Sequence, residues 1–244
     1  MITVESEGTM RNLPIVRPQA TRYTRDSAFS YTGHACSRCC HDKIIHLNPY
    51  EVARLAQNRG IGTTEFLTQY TDAAGTALKR VEVGACIFLT ENGCEVHADR
   101  PLVCRIYPLG RHVTAQDGEW FAELVPHPHT EGTYGTAGTV DQYLTAQGAE
   151  PYIQAVDRYL EVLGRMATVL QTCIGVGQET PGEAQRTVDD LVTGVDPDVP
   201  AWLDMDTVVR KYCYAKGVAV PDDPATRMEL HIHALDEWLH THRV

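Results

Sequence analysis

Three cysteines within five residues, Cys36-Ser-Arg-Cys39-Cys40, restrict what this chain can become more than any other feature of it. Cys86, Cys94 and Cys104 follow, so six of the eight cysteines fall within 69 residues, while Cys173 and Cys213 stand apart. The opening residues, MITVESEGTM, hold no apolar signal run, and the chain therefore reads as cytoplasmic. In a reducing compartment clustered thiols point to a metal site or to catalysis more than to disulfides. A Cys-x-x-Cys knuckle aims two sulfurs at one centre. The adjacent Cys40 extends the set toward a second metal position or another edge of one cluster. Thiolates suit zinc and iron–sulfur clusters and select against magnesium and calcium. Either kind of site takes four protein ligands. Six thiols exceed one such site and fall short of two unless histidine or water completes them. Cys173 and Cys213 lie in apolar helical patterns and read as small buried hydrophobes.

Charge and composition narrow the partners. With 21 Lys and Arg against 32 Asp and Glu, the formal charge is −11, and no run of basic residues interrupts it. A field of that sign repels phosphate backbones and anionic membranes, so neither nucleic acid nor membrane is an expected partner. No stretch approaches the roughly 20 apolar residues of a membrane span. A chain of 244 residues with 43% hydrophobic content buries a core without needing disulfides. The phosphate-loop, Rossmann-glycine, Gly-x-Ser-x-Gly and His-Glu-x-x-His patterns are all missing, as is the radical-SAM cysteine spacing.

The chain divides into three stretches. Residues 1–30 read as an extended N-terminal segment broken by Pro14 and Pro18. Residues 31–138 read as a cysteine-rich metal-binding core. Within it, Asn48 caps and Pro49 opens a helix that Gly60 closes, and Thr63 or Thr64 caps a second. Short β-prone runs follow: Val81–Val83, Cys86–Thr90, Cys94–His97, Ile106–Tyr107, Arg111–Gln116 and Glu119–Val125. Hairpin signals sit at Asn92-Gly93 and Asp117-Gly118. Residues 126–138 read as a loop of Gly, Pro, His and Thr. Residues 139–244 read as a helical region packed on the core. There Thr139 and Gln142 fit a capping box, and Pro151 opens a helix in which Ile153, Val156, Tyr159, Leu160, Leu163, Met166 and Leu170 recur. A polar linker at 175–197 and helices near 199–215 and 224–241 complete it. The last 70 residues hold 13 acids and 6 bases. The expected fold class is α+β: a small irregular β-rich metal-binding core covered by helices, with a helical C-terminal part.

The motifs Cys36-x-x-Cys39-Cys40, Cys86-Ile-Phe-Leu, Gly93-Cys94 and Asp99-Arg100-Pro101-Leu-Val-Cys104-Arg105-Ile-Tyr107-Pro108 together resemble the YkgJ-like cysteine-cluster family of zinc- or iron-chelating proteins. Asn48-Pro-Tyr-Glu-Val-Ala-Arg-Leu-Ala resembles the helix after that family's first motif, and the likeness covers about residues 30–165. The family's first motif is Cys-x-x-Cys-x-x-Cys-Cys. Aligning Cys39-Cys40 with its last pair sets Gly33 where the first cysteine belongs, and His127-Pro128-His129 stands where a later cysteine belongs. His34 or His127 could substitute. Through the cysteine motif alone the chain is distantly similar to flagellin lysine N-methylases, which implies a cluster and not methyl transfer.

The candidate metal ligands are Cys36, Cys39, Cys40, Cys86, Cys94 and Cys104, with His34, His41, His97 and His127 as secondary candidates. Arg100 and Arg105 are the cofactor-binding candidates, as cations that offset an anionic thiolate cluster or hold an anionic substrate group. His231, His233, His240 and His242 read as a solvated terminus. The expected cofactor is an iron–sulfur cluster, 4Fe-4S first, with zinc or mononuclear iron as the alternative. The expected function is a metalloenzyme, transferase-like or redox, acting on a peptide or small molecule, with no catalytic residue assigned. The alternative is a non-catalytic zinc- or iron-binding module for metal handling or partner binding.

Overall fold

The computed structural model describes residues 21–34, 37–72, 75–81, 84–114, 116–124, 131–175 and 202–241, with the side chains of 169–175 and 241 outside the description. Cys36, His127 and His129 therefore lie outside the described residues, as do the expected linker at 175–197 beyond its first residue and the side chain of Cys173. The architecture is α+β, with small antiparallel two-stranded sheets beside helices.

The first helix, α1 (Pro49–Arg59), starts where its capping chemistry dictates. The Asn48 side chain accepts from the Glu51 amide at 3.0 Å, and Glu51 accepts from the Asn48 amide at 3.0 Å. Gly60, at φ 69°, takes the left-handed conformation that ends it. After α2 (Thr63–Tyr70), whose N-cap is Gly62 instead of either threonine, come β2 (Leu89–Thr90) and β3 (Gly93–Cys94), paired around Asn92. The expected strands at 86–90 and 94–97 shrink to these two-residue pieces. His97–Asp99 forms a 3-10 turn instead. Ile106 and Tyr107 are not a strand: they follow the short helix α3 (Leu102–Arg105), in which Pro101 sets the first turn.

Next, β4 (Leu109–Thr114) and β5 (Gly118–Glu123) form the hairpin that Asp117-Gly118 announces. Arg111 anchors it, pairing with Glu119 at 2.6 Å and with Asp157 of the following long helix at 2.7 Å. The loop expected at 126–138 is corrected in its second half. Gly132–Thr139 is a strand, β6, antiparallel to β1 (Ala28–Gly33). Glycine and threonine carry no amphipathic alternation there, so pairing with β1 supplies the order that the residue pattern does not.

The helical part comprises α4 (Val140–Ala146), α5 (Glu150–Gly175), α6 (Met205–Lys216) and α7 (Pro224–Thr241). The Thr139–Gln142 capping box is present. Helix α5 buries Tyr152, Ile153, Ala155, Tyr159, Val162 and Met166, and Leu160, expected on that face, is 54% exposed. In α7, Met228, His231, Ile232, Leu235 and Leu239 are buried. His231 is therefore no solvated terminus, as the reading of its neighbourhood had it. It shares the buried face with Met228 and Leu235 and lies 2.9 Å from the Tyr159 hydroxyl.

Two apolar clusters organise the molecule. The larger joins Phe29, Leu109 and Phe121 of the sheets to Tyr143, Tyr159, Val209, Ile232 and Leu239 of the helices. The smaller joins Ile45, Val52, Leu55, Phe66, Phe88 and Val96, and Trp202 packs against both. Among the described residues no helix is long and apolar enough to cross a membrane.

Candidate metal centre

The first cysteine motif folds as a 3-10 turn, Arg38–Cys40. It is bracketed by Ser37 at φ 57° and Asp42 at φ 54°, the two non-glycine residues with left-handed backbone among those described. Such positions cost about 1–3 kcal/mol each and need support from their surroundings. Support comes from the second motif. Cys40 O accepts from the Cys86 amide at 2.8 Å, His41 bridges Ala85, and the Asp42 amide donates to Gly84 O at 2.9 Å. Gly84 has to be glycine: at φ 77°, a Cβ there would collide with the Asp42 carboxylate. Backbone pairing thus sets Cys40 and Cys86 side by side although they are far apart in sequence.

Cys94 returns through the β2–β3 hairpin, opposite Leu89. Cys104 stands on α3, whose first amide is held by a side chain from elsewhere: Leu102 N donates to Glu51 Oε1 at 2.8 Å. Cys86, Cys94 and Cys104 all lie against the smaller apolar cluster. The five described cysteines of the motif are half-buried and free of disulfides. Cys39 and Cys40 Sγ lie 4.0 Å apart. That contact lowers the Cys39 pKa, burial opposes it, and the charges of Lys43 and Arg100 assist. The same contact, then burial and the neighbouring thiols, raises Cys40. Burial raises Cys86, Cys94 and Cys104. Cys94 adds to the rise at Cys86, Cys39 adds to it at Cys94, and Cys86, Cys39 and Cys94 add to it at Cys104. Burial and neighbouring thiols thus favour the protonated form at four of the five, and metal binding would release those protons.

Cations surround the sulfurs. Lys43 is half-buried with Nζ 3.9 Å from the centre of the Tyr107 ring. Arg100 donates to His97 O at 2.6 Å and Gln147 Oε1 at 2.7 Å, both uncharged acceptors. Arg105 is buried, donating to Gln147 O at 2.8 Å, to Tyr152 Oη at 3.0 Å and to Ala98 O. Among the described residues none of the three forms an ion pair with a carboxylate, whereas Arg54, Arg59, Arg111 and Arg165 all do. Arg105 spends both terminal nitrogens on protein acceptors while its buried Nε has no partner among the described residues, and Lys43 and Arg100 are the cations whose charge acts on Cys39. Tyr107 also meets Tyr31 edge-on, with ring centres 6.3 Å apart, and Tyr31 meets the partly exposed Tyr134 at 5.0 Å.

The secondary candidates are more peripheral. His34 is exposed and lies 3.1 Å from Thr133 Oγ1. His41 closes the knuckle through its backbone. His97 is exposed, and burial together with the charges of Arg100 and Arg105 lowers its pKa. Cys213 is fully buried in α6, in the larger core and away from the thiols. Among the described residues no three His, Cys, Asp or Glu side chains stand together closely enough to enclose a metal ion. The donor chemistry nonetheless fits a zinc or iron centre: soft thiols in surplus of four, uncompensated cations beside them, and no carboxylate among the donors. Sequence reasoning missed Lys43, Glu51 and Tyr107. The capping pattern Asn48-x-x-Glu51 signalled one half of the Glu51 role. Nothing local signalled the rest.

Residues 32–124 match the family model described as "CxxCxxCC: Putative zinc- or iron-chelating domain". No curated protein and no solved structure gives a match. The matched segment begins on β1 and ends just after β5, so it contains every one of the six clustered cysteines and the turns and bridges that gather them. Over residues 32–124 the chain is similar to this cysteine-cluster family.

Proposed function

We propose that this protein binds an iron–sulfur centre, 4Fe-4S in type, through thiolates drawn from Cys36, Cys39, Cys40, Cys86, Cys94 and Cys104, and that it is a metalloenzyme acting on a peptide or small molecule. The supporting observation is five half-buried free thiols of the cysteine motifs in a region that also holds Lys43 and Arg100, two cations without carboxylate partners among the described residues. Thiolates bound to iron or zinc leave an anionic assembly. In a half-buried place such an assembly needs compensating charge close by, because desolvating uncompensated charge costs several kcal/mol. A polynuclear cluster also takes thiolates at separate corners, which suits the adjacent Cys39 and Cys40. When bound, the centre supplies redox or Lewis-acid chemistry. The chain's own part is to hold the sulfurs by the Cys40–Cys86 backbone pairing, to orient Cys104 through Glu51 and to offset charge with Lys43 and Arg100.

A second reading, a non-catalytic zinc or iron module, draws on the same thiols and the same family likeness. Purification without oxygen, followed by iron, sulfide and zinc analysis and an absorption spectrum, separates the two. Iron with equimolar sulfide and a brown colour supports the first reading. Stoichiometric zinc in a colourless protein supports the second. A folded protein free of both metals overturns both.

A further inference from the structure

Two guanidinium groups stand side by side on this molecule with no acid between them. Arg100 donates to His97 O at 2.6 Å and to Gln147 Oε1 at 2.7 Å. Arg105 donates to Ala98 O, the next carbonyl along the same turn, and to Gln147 O at 2.8 Å. Each side chain thus spans the same two segments, and all four acceptors are uncharged. The acids of the neighbourhood are spent elsewhere. Asp99 accepts from Arg54 at 2.5 Å and from Asn58 at 2.8 Å, Glu95 pairs with Arg59 at 3.2 Å, and Glu51 accepts the amides of Asn48 and Leu102. Asp99 and Glu51 feel the Arg105 charge without accepting a hydrogen bond from it. Gln147 ends α4, and the carbonyl end of a helix offers only about half an elementary charge. In a chain with 32 acidic residues, two adjacent cations are left without a counter-ion among the described residues.

The two arginines differ in access. Arg105 is buried, its guanidinium lies 4.1 Å from the centre of the Tyr152 ring, and its Nε is shut away from solvent, so it contributes charge and not contact. Arg100 is half-buried. Of its five N–H donors, that on Nε meets no acceptor among the described residues and is not buried. His97 is exposed beside it, with Nδ1 3.2 Å from Arg100 Nη1. A guanidinium nitrogen only donates, so Nδ1 accepts and the neutral ring keeps its proton on Nε2. We propose that Arg100, backed by the buried charge of Arg105 and flanked by His97, is an oxyanion-binding site that takes a carboxylate or phosphate group of a ligand. A guanidinium grips such a group through two parallel charge-assisted hydrogen bonds, and the second cation behind it deepens the local field. The anion site itself needs no metal. Its bearing on function rests on the metal-binding reading above, where it makes the substrate an acid.

The test titrates the full-length reduced protein with sodium phosphate and, separately, with sodium acetate by isothermal calorimetry, at an ionic strength held constant with chloride. Saturable binding of at least one anion is expected, and the tighter of the two tells a phosphate ligand from a carboxylate one. Arg100→Gln is expected to weaken that binding about tenfold or more, and Arg100→Lys, which keeps the charge and loses the fork, about threefold. Gln147→Glu places a carboxylate where Arg100 already donates at 2.7 Å. It is expected to abolish anion binding and to raise the melting temperature, because the protein then supplies its own counter-ion. Should Arg100→Gln fail to fold, Gln147→Glu decides alone. Arg158→Gln, at an exposed pair with Glu229, is expected to leave anion binding unchanged. Absence of saturable binding of either anion would overturn the inference, as would wild-type affinity in Gln147→Glu. Neither result touches the metal-binding reading, which metal analysis of the same wild-type protein tests separately.

Discussion

Among the described residues between Arg38 and Arg105 the longest strand has two residues, and much of the chain outside α1 and α2 is joined by single bridges such as His41–Ala85, His46–Ala77 and Arg80–Cys86. Among the described residues between Val140 and Thr241, four helices bury continuous apolar faces against one core. The first region spends its order on gathering polar, reactive groups, and the second on removing apolar area from water. A region of the first kind gains cohesion from a ligand that ties its sulfurs together, whereas one of the second kind is already held by burial. The contrast predicts that metal matters unequally across the molecule.

The largest effect is expected on metal removal. Structural metal contributes on the order of 10 kcal/mol to small sites of this type. Chelation should therefore strip hydrogen-exchange protection from residues 38–105 while α5 and α7 keep theirs. Equal protection with and without metal would erase the contrast. Next comes Glu51→Ala. Its carboxylate accepts from Asn48 N and Leu102 N in a buried place, and two orphaned amides cost about 2–4 kcal/mol together. Thermal unfolding should show that loss and metal content should fall with it, because α3 carries Cys104. A destabilised variant with full metal would separate Glu51 from the centre.

The helical half should answer to pH instead of metal. Burial lowers the His231 pKa from 6.5 to about 3. As pH falls below 6.5 the unfolded chain takes the proton and the folded one does not. Stability is then full above 6.5 and drains away until about 3, by roughly 2 kcal/mol between pH 6.5 and 5. Denaturant titrations of the wild type and His231→Gln should differ in that slope, and identical slopes would show that His231 is not the cause. The smallest effect is expected for Cys213→Ala, a truncation of one buried atom worth about 1 kcal/mol. It should lower the melting temperature slightly and leave metal content untouched, and loss of metal would move Cys213 into the site.

Legibility followed the same divide. Helices α1 and α4 were readable from their caps, Asn48 with Pro49 and Gly60, Thr139 with Gln142, because capping is local chemistry. Strand β6 was not, since its Gly–Thr pattern has no period and its order comes from β1, about a hundred residues earlier. His231 was misjudged from its histidine neighbours, although Met228, Ile232, Leu235 and Leu239 mark the buried face it shares. The cysteine motifs were visible at once. Lys43 was not, because what makes it unusual is Tyr107, brought to it only by folding.

The central claim is that the thiols of the first motif hold the metal, and single Cys→Ser variants of Cys36, Cys39, Cys40, Cys86, Cys94 and Cys104 test it most directly. Metal content and absorption spectrum would be read for each. Cys39, fixed in the knuckle and favoured as thiolate by its contact with Cys40, is expected to be indispensable. Cys39→Ser should abolish the centre, while Cys86→Ser and Cys94→Ser alter the spectrum without emptying the site. A Cys39→Ser protein that retains full metal and an unchanged spectrum would contradict the account.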